Sequence, residues 1–423
     1  MTCPMCFFRD VNQRNLKLQT FSLPRFESKI LKYKELYLDG INNLTCLSKC
    51  DCYSKYNDPN LVEWIGELLN ALKASVELIA TTFDEIFICY YKFLVENQRS
   101  AINYLHGFLN NNGFLQHQVD PSELVKVLFR ARYKGDYESS DIKEFFHIPF
   151  TLRHLVGSQR FSINGQPLLY LGSSILTVEK ELESNCKQLN YSAFLPSYSD
   201  TYQFRIFDLK NSIDYLMINL PGVLGGGVPY DYDKNYKHRF ELEIRRSILL
   251  QICSFPTEIK KSFIPEYVIP QMLTAVLQEA GFDGLTFPST KCFESLVDSH
   301  RFSSHHLNIV LFTSYSATDN HDISLLNKFY TYTHNVSEVV DVQDVLHSIE
   351  IACEVNRNAD INNSDFTLPL VRAKLQIEYL QDSKIDGIPY FSTQTGIIEL
   401  QLYKQLADQM YEKISERVHN KAF

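Results

Sequence analysis

The chain has no long apolar segment, no secretory-leader pattern and no excess of positive charge. No apolar run approaches the roughly 18 residues of a membrane span, and the most apolar stretch, 86–91, is far shorter. At the N-terminus, Met1 to Pro4 show no basic segment followed by an apolar one, so we expect a cytoplasmic protein with reduced cysteines. The net charge of −9 argues against a nucleic-acid backbone as the main partner.

The composition is that of a globular protein. Hydrophobic residues make up 45% of the 423 positions and charged residues 22%, which fits folded domains and excludes a disordered chain. At roughly 150 residues per domain, this length predicts two or three domains. We divide the chain into a Cys-rich segment (1–60), a helical domain (61–120), a catalytic domain (121–315) and a helical C-terminal extension (316–423).

Hydrophobic periodicity predicts the secondary structure of these parts. Apolar residues recur every three or four positions from 61 to 109, and the polar run 110–113 ends this helical region. After a helix-cap pattern at 120–123, short apolar segments alternate with turns, and two helices are predicted at 175–189 and 269–280. The predicted strands are 127–132, 168–171, 202–207, 216–220, 285–287 and 307–312. We therefore predict an α+β domain with a strongly bent or split sheet, followed by a final amphipathic helix over 400–414.

Three separated segments carry polar residues at predicted strand ends and turns. The first is Phe-Arg-Ala-Arg at 129–132, and the second runs from 157 to 172 and on to Glu179 and Glu181. The third runs from 282 to 289 and is followed by Asn308. In order and spacing, these segments resemble the RES-domain family, named for its Arg, Glu and Ser. The resemblance covers 127–313.

The resemblance implies a fold, an activity and partners. Members of the family resemble ADP-ribosyltransferases and degrade NAD at the bond between nicotinamide and ribose, and many are toxins paired with an antitoxin. The implied protein partners are an antitoxin or regulatory protein and, in a homo-oligomer, a second copy. The resemblance implies catalytic roles for Glu181, Arg160 and Ser289, and NAD-binding roles for Arg130, Arg132, Tyr170 and Asn308.

These residue types suit that chemistry. Arginine grips phosphate oxygens with a rigid fork of donors, so Arg130 and Arg160 are the best candidates to bind the NAD diphosphate or an incoming phosphate. A carboxylate can stabilise the positive charge that develops on ribose during cleavage. Family spacing favours Glu181 for this role, although helical periodicity places Glu179, the alternative, nearer the apolar stripe of its helix.

Two further patterns carry predictions. Cys3 and Cys6 pair with Cys46 and either Cys50 or Cys52 as a structural zinc site, because two short cysteine pairs on separate turns can complete a tetrahedron. In the helical domain, Arg99 and His106 resemble the Arg-to-His motif of HEPN ribonucleases. The alternatives to NAD cleavage are therefore a HEPN-type RNA-binding or RNA-cleaving protein with an inactive RES-like half, and a purely structural interaction protein.

Overall fold

The structure is a computed structural model, and it describes most of the chain. The described residues are 2–55, 59–116, 118–119, 126–135, 141–197, 204–209, 216–217, 232–257, 263–292, 306–334, 339–358 and 364–421. None of the helices in these ranges combines the length and the apolar character needed to cross a membrane.

Six helices form the N-terminal part. They are α1 (Pro4–Phe7), α2 (Asp10–Leu18), α3 (Phe26–Asn42), α4 (Pro59–Ala74), α5 (Val76–Val95) and α6 (Gln98–Asn111). The predicted helical region is confirmed. The side chain of Asn97 caps α6 by accepting a hydrogen bond from the backbone N–H of Ser100. Just beyond the helix, Gly113 adopts a positive φ of 79°, which ends the helical region where the polar run predicts.

A seven-stranded sheet occupies the centre. Its strands are β1 (Leu128–Tyr133), β2 (Leu169–Gly172), β3 (Leu189–Pro196), β4 (Ile206–Asp208), β5 (Gly284–Pro288), β6 (Leu307–Leu311) and β7 (Phe329–Thr333), in the order β4-β5-β6-β2-β1-β3-β7. Among the strands that the structure describes, only β4 and β5 pair in parallel. The strands β1 and β2 meet through a single residue pair, Phe129 opposite Gly172, so the sheet has two halves with a narrow junction. The α+β class is confirmed.

Helices precede, interrupt and follow the sheet. Those within it are α7 (Ile142–Phe145), α8 (Ile175–Leu182), α9 (Tyr232–Cys253), α10 (Val268–Glu279) and α11 (Ile323–Leu326). After β7 come α12 (Val342–Asn358), α13 (Ser364–Gln381), the hairpin of β8 (Lys384–Ile385) and β9 (Ile388–Pro389), and α14 (Gln394–Lys421). The predicted final helix is therefore confirmed.

Both helical parts cover the same face of the sheet. In β1, Phe129 packs with α12–α14, whereas its neighbour Leu128 belongs to a separate core on the other face. In β2, Tyr170 packs against the N-terminal core, which also includes α9 and α10, and Leu171 lies in that separate core. Because neighbouring strand residues alternate in direction, the two helical layers lie side by side on this face and meet above the junction of β2 and β1. The helix α8, which follows β2, lies at this meeting point.

Some elements differ from the sequence prediction. The helix predicted over 175–189 ends at Leu182, because Glu183 adopts a left-handed φ of 52° and Leu189 begins β3. The strands β3 and β7 were not predicted, and β7 lies beyond the predicted domain end at 315. The prediction of a strand over 216–220 is wrong at 216–217, because these two residues are helical. The rest of that prediction, 218–220, lies outside the described residues. The predicted cap at 120–123 also lies outside them.

Candidate active site and cysteine cluster

The helix α8 starts immediately after β2 and carries both candidate carboxylates. The side chain of Ser174 caps it by accepting from the backbone N–H of Thr177. A Cβ atom added at Gly172, the last residue of β2, would lie 2.7 Å from a methyl carbon of Val178. Only glycine at this position therefore lets α8 pack so close to the strand that it follows.

Glu181, Ser289 and Asn308 come together from three separate elements. The Oε1 atom of Glu181 accepts hydrogen bonds from Ser289 Oγ at 2.6 Å and Asn308 Nδ2 at 2.8 Å. Ser289 Oγ itself accepts from the backbone N–H groups of Lys291 and Cys292, so its own proton points to Glu181. Within the described part of the chain, Glu181 Oε2 accepts no hydrogen bond. One carboxylate oxygen is thus fixed and the other is available.

Glu179 faces a different neighbourhood. Its Oε1 accepts from the hydroxyl of Tyr191 at 2.5 Å and its Oε2 from the hydroxyl of Thr395 at 2.9 Å, so both oxygens are occupied. Burial raises its pKa. Two residues along a helix correspond to a rotation of about 200°, which accounts for the two environments. Helical periodicity therefore identifies Glu179 as a core carboxylate.

Arg160 and Tyr170 lie near each other on the N-terminal side of the sheet. Arg160 Nη1 donates to the carbonyls of Cys253 and Phe255, both at 2.9 Å, while its Nε and Nη2 donate to no other described residue. The hydroxyl of Tyr170 donates to Ser162 Oγ at 3.3 Å. Burial raises the pKa of Tyr170, and the charge of Arg160 opposes this.

The two arginines of β1 hold backbone segments. Arg130 Nη1 donates to the carbonyl of Tyr170 at 3.0 Å, across the narrow junction between β1 and β2. Arg132 donates to the carbonyls of Glu144 and Phe146 beside α7. Strand alternation puts both arginines on the face opposite Phe129. Arg132 therefore supports the α7 turn, and Arg130 lies at the split of the sheet.

Sequence reasoning missed two contributors to this site. Lys291 donates from Nζ to the Glu181 carbonyl at 2.9 Å and forms a salt bridge with Glu183 at 3.0 Å, which fixes the end of α8. Lys17 of α2 lines a small pocket together with Ser289. The contacts of Lys17 are far apart in sequence, so no local pattern signals them.

Four cysteines form a compact cluster. The sulfur atoms of Cys3, Cys6, Cys50 and Cys52 all lie within 4.8 Å of one another, and the set could hold a metal ion. Hydrogen bonding with Cys3 lowers the pKa of Cys6 to about 5. The predicted ligand Cys46 is outside the cluster, with its sulfur 3.2 Å from Ser48 Oγ. Cys50 and Cys52, predicted as alternatives, are both members, because the turn after Leu47–Lys49 directs them towards α1.

The HEPN-like pair lies on α6, and neither residue contacts the cluster of Glu181, Ser289 and Asn308, here called the carboxylate cluster. Arg99 is largely exposed and forms a salt bridge with Glu279 at 3.5 Å, and His106 is half-buried on the same helix. A groove of about 540 Å³ runs between α5 and α6 beside Arg245, and neither Arg99 nor His106 lines it.

Comparisons with known proteins give one distant similarity. The chain is 23% identical over 263 residues to the Bacillus subtilis (strain 168) protein "Putative toxin YopC". The match covers 59% of this chain and 55% of that protein, so it spans about half of the relative's length. No family model matches the chain. No solved structure matches it either.

Proposed function

We propose that the chain is an NAD-cleaving enzyme that acts as a toxin or defence effector. The observation that carries the proposal is the cluster of Glu181, Ser289 and Asn308, in which one carboxylate oxygen is fixed and the other is open. A carboxylate held in this way can act on charge that develops in a neighbouring sugar without rearranging during the reaction.

The reaction breaks the bond between ribose C1′ and the nicotinamide nitrogen. The electron pair leaves with nicotinamide, which becomes neutral, and positive charge builds on the ribose. With water as the acceptor, the products are nicotinamide, ADP-ribose and one proton. Phosphate or a protein side chain in place of water would make the enzyme a phosphorylase or an ADP-ribosyltransferase. Glu181 Oε2 would stabilise the ribose charge and hold a ribose hydroxyl.

The surrounding residues support this arrangement. The guanidinium of Arg160 lies over the ring of Tyr267 at 5.0 Å, and two of its nitrogens donate to no described residue, which suits them to a phosphate group. Tyr170 lies beside it and offers an aromatic face for nicotinamide. The sheet divides at the single β1–β2 pair next to Arg130, as an ADP-ribosyltransferase-like split sheet would require.

The toxin assignment draws on the similarity to the Bacillus subtilis protein and on the RES-like segments. An enzyme that degrades NAD would harm the cell that makes it. An antitoxin or other inhibitory protein is therefore the partner that this function requires.

The test compares two variants, each of which replaces one glutamate by glutamine. Glu181→Gln removes a charge that matters mainly in the transition state, so nicotinamide release should fall about 10²-fold or more while NAD affinity changes little. Glu179→Gln is the matched control two residues away, and it should retain turnover. Loss of activity in the Glu179 variant alone would show that Glu179 has this role and that the assignment to Glu181 is wrong. Full activity in both variants would remove the cleft as an active site.

We also propose that the cysteine cluster holds a structural zinc ion. Sulfurs placed about 2.3 Å from a tetrahedral zinc lie about 3.8 Å apart. The sulfur of Cys3 lies 3.5 Å from that of Cys52, and the sulfur of Cys6 lies 3.7 Å from that of Cys50. These two separations are close to the tetrahedral value, whereas the sulfurs of Cys50 and Cys52 lie 3.2 Å apart and would have to separate slightly around the ion. The ion would join α1 to the 46–52 turn and so support the segment that carries α2.

A further inference from the structure

A small pocket lies between the N-terminal segment and the carboxylate cluster. Its walls come from α2, from the end of α9 and from the end of β5. Its polar lining residues are Asp10, Arg14, Lys17, Gln251, Ser254, Ser289 and Thr290. The pocket thus joins the Cys-rich segment to Ser289, which hydrogen-bonds to Glu181.

Lys17 is a buried cation in the wall of this pocket. It is 3% exposed, and its ammonium donates to Ser254 Oγ at 2.6 Å. The ring of Phe255 lies 5.6 Å from the ammonium nitrogen. Lys17 forms no salt bridge with any described residue. Because a buried charge is costly unless an opposite charge accompanies it, this position favours an anionic ligand.

Cations outnumber carboxylates around the pocket. Lys17 and Arg160 hold the same turn, since Lys17 binds Ser254 while Arg160 binds the carbonyls on either side of it. Arg14 is the second cation of the lining and Asp10 is its carboxylate, while Arg160 is not a lining residue and adjoins the pocket through the turn that it holds. Burial lowers the pKa of Lys17 to about 7, with Asp10 opposing this effect and Arg160 adding to it.

We propose that Lys17 and Arg14 of the N-terminal segment form a subsite for a phosphate group, next to the turn held by Arg160 and beside Ser289, the partner of Glu181. The identity of the phosphate compound rests on the proposed NAD-cleaving function. The phosphate would belong either to the diphosphate of the dinucleotide or to free inorganic phosphate. The N-terminal segment is then part of the substrate site.

The burial of Lys17 gives the subsite a distinctive signature. A phosphate group beside the amine favours its protonated form, so binding above neutral pH takes up a proton. The affinity should therefore fall as the pH rises above about 7. A lysine that serves only to hold Ser254 in the fold would show no such proton uptake.

The experiment measures ADP-ribose binding by calorimetry at pH 7.5, in two buffers with different ionisation heats. ADP-ribose is a suitable probe because its diphosphate carries no titrating proton near this pH. We expect Lys17→Met and Arg14→Gln each to raise the Kd of ADP-ribose about 10-fold or more, as the loss of a charge-assisted hydrogen bond does. Lys17→Met should also abolish proton uptake. Lys32→Gln, which removes an exposed charge on α3, is the control and should change neither quantity.

Inorganic phosphate is the second probe, and it separates the two sources. Competition between phosphate and ADP-ribose that disappears in Lys17→Met would indicate that both occupy the subsite, whereas binding of ADP-ribose alone would assign it to the dinucleotide. Unchanged Kd values in the Lys17 and Arg14 variants, or no binding of either probe by the unmodified protein, would overturn the proposal. Should Lys17→Met fail to fold, the more exposed Arg14→Gln carries the test. A failure of NAD cleavage appears separately, as an absence of nicotinamide release.

Discussion

Glu399 of α14 is a fully buried carboxylate that supports the helix carrying Glu181. Its Oε2 accepts from the backbone N–H of Ile175, the first residue of α8, at 2.8 Å, and from the hydroxyl of Tyr390 at 2.6 Å. Tyr403 contributes a longer contact at 3.5 Å. Burial raises the pKa of Glu399 to about 7, and the nearby charge of Glu179 acts in the same direction.

The raised pKa makes the stability of this region depend on pH. Glu399 prefers the protonated form in the folded chain, whereas an exposed glutamate has a pKa of 4.5. Its contribution to stability is therefore fully present below about pH 4.5 and is lost as the pH rises through about 7. At about 1.4 kcal/mol per pH unit, this difference corresponds to about 3 kcal/mol lost between pH 4 and pH 8.

The perturbation that isolates this group is Glu399→Gln, which keeps the shape and removes the titration. The free energy of unfolding of both proteins is measured by urea denaturation at several pH values. From pH 4 to pH 8, the stability of the variant relative to the unmodified protein should increase by about 3 kcal/mol. Glu412→Gln, an exposed change on the same helix, should show no such trend. A constant difference between Glu399→Gln and the unmodified protein over this range would refute the reasoning.

The remaining predictions concern the N-terminal half. Metal analysis of the purified protein should find about one zinc per chain. Cys52→Ser should lower this zinc content and Cys46→Ser should not, because Cys52 belongs to the cluster and Cys46 does not. Protein prepared without chelator and found to be metal-free would contradict the site. Arg99→Ala and His106→Ala should leave nicotinamide release largely intact, because both residues lie outside the carboxylate cluster. A large loss of turnover in a folded variant would show that α6 contributes to catalysis.

Elements with a strong local signal were predictable, and those defined by long-range pairing were not. The helices between 59 and 111 follow a regular apolar period, and β5 and β6 are short apolar segments between turns. The end of α8 has no such signal, because the left-handed residue is Glu183 and not glycine. The strand β7 is recognisable only through its pairing with β3, since most of its side chains are half-buried.

The candidate site was also predictable only where the sequence carries a local signal. The spacing of the RES-like segments singled out Glu181, Ser289 and Asn308, which hydrogen bonds do bring together. The spacing of Cys46, Cys50 and Cys52 does not show which of them are ligands, because the turn of the chain determines which sulfurs point towards Cys3 and Cys6. Lys17 meets Ser254 across 237 positions, and nothing in its own neighbourhood distinguishes it from a surface lysine.

The helix α8 connects the two helical layers to the chemistry. One side of the helix is held by α14, through the contact of Glu399 with Ile175 and that of Thr395 with Glu179. The other side presents Glu181 to Ser289, which lines the small pocket that α2 completes. Because a carboxylate stabilises a transition state only when its position is fixed beforehand, both layers determine how well Glu181 acts. The C-terminal extension is therefore part of the support of the proposed active site.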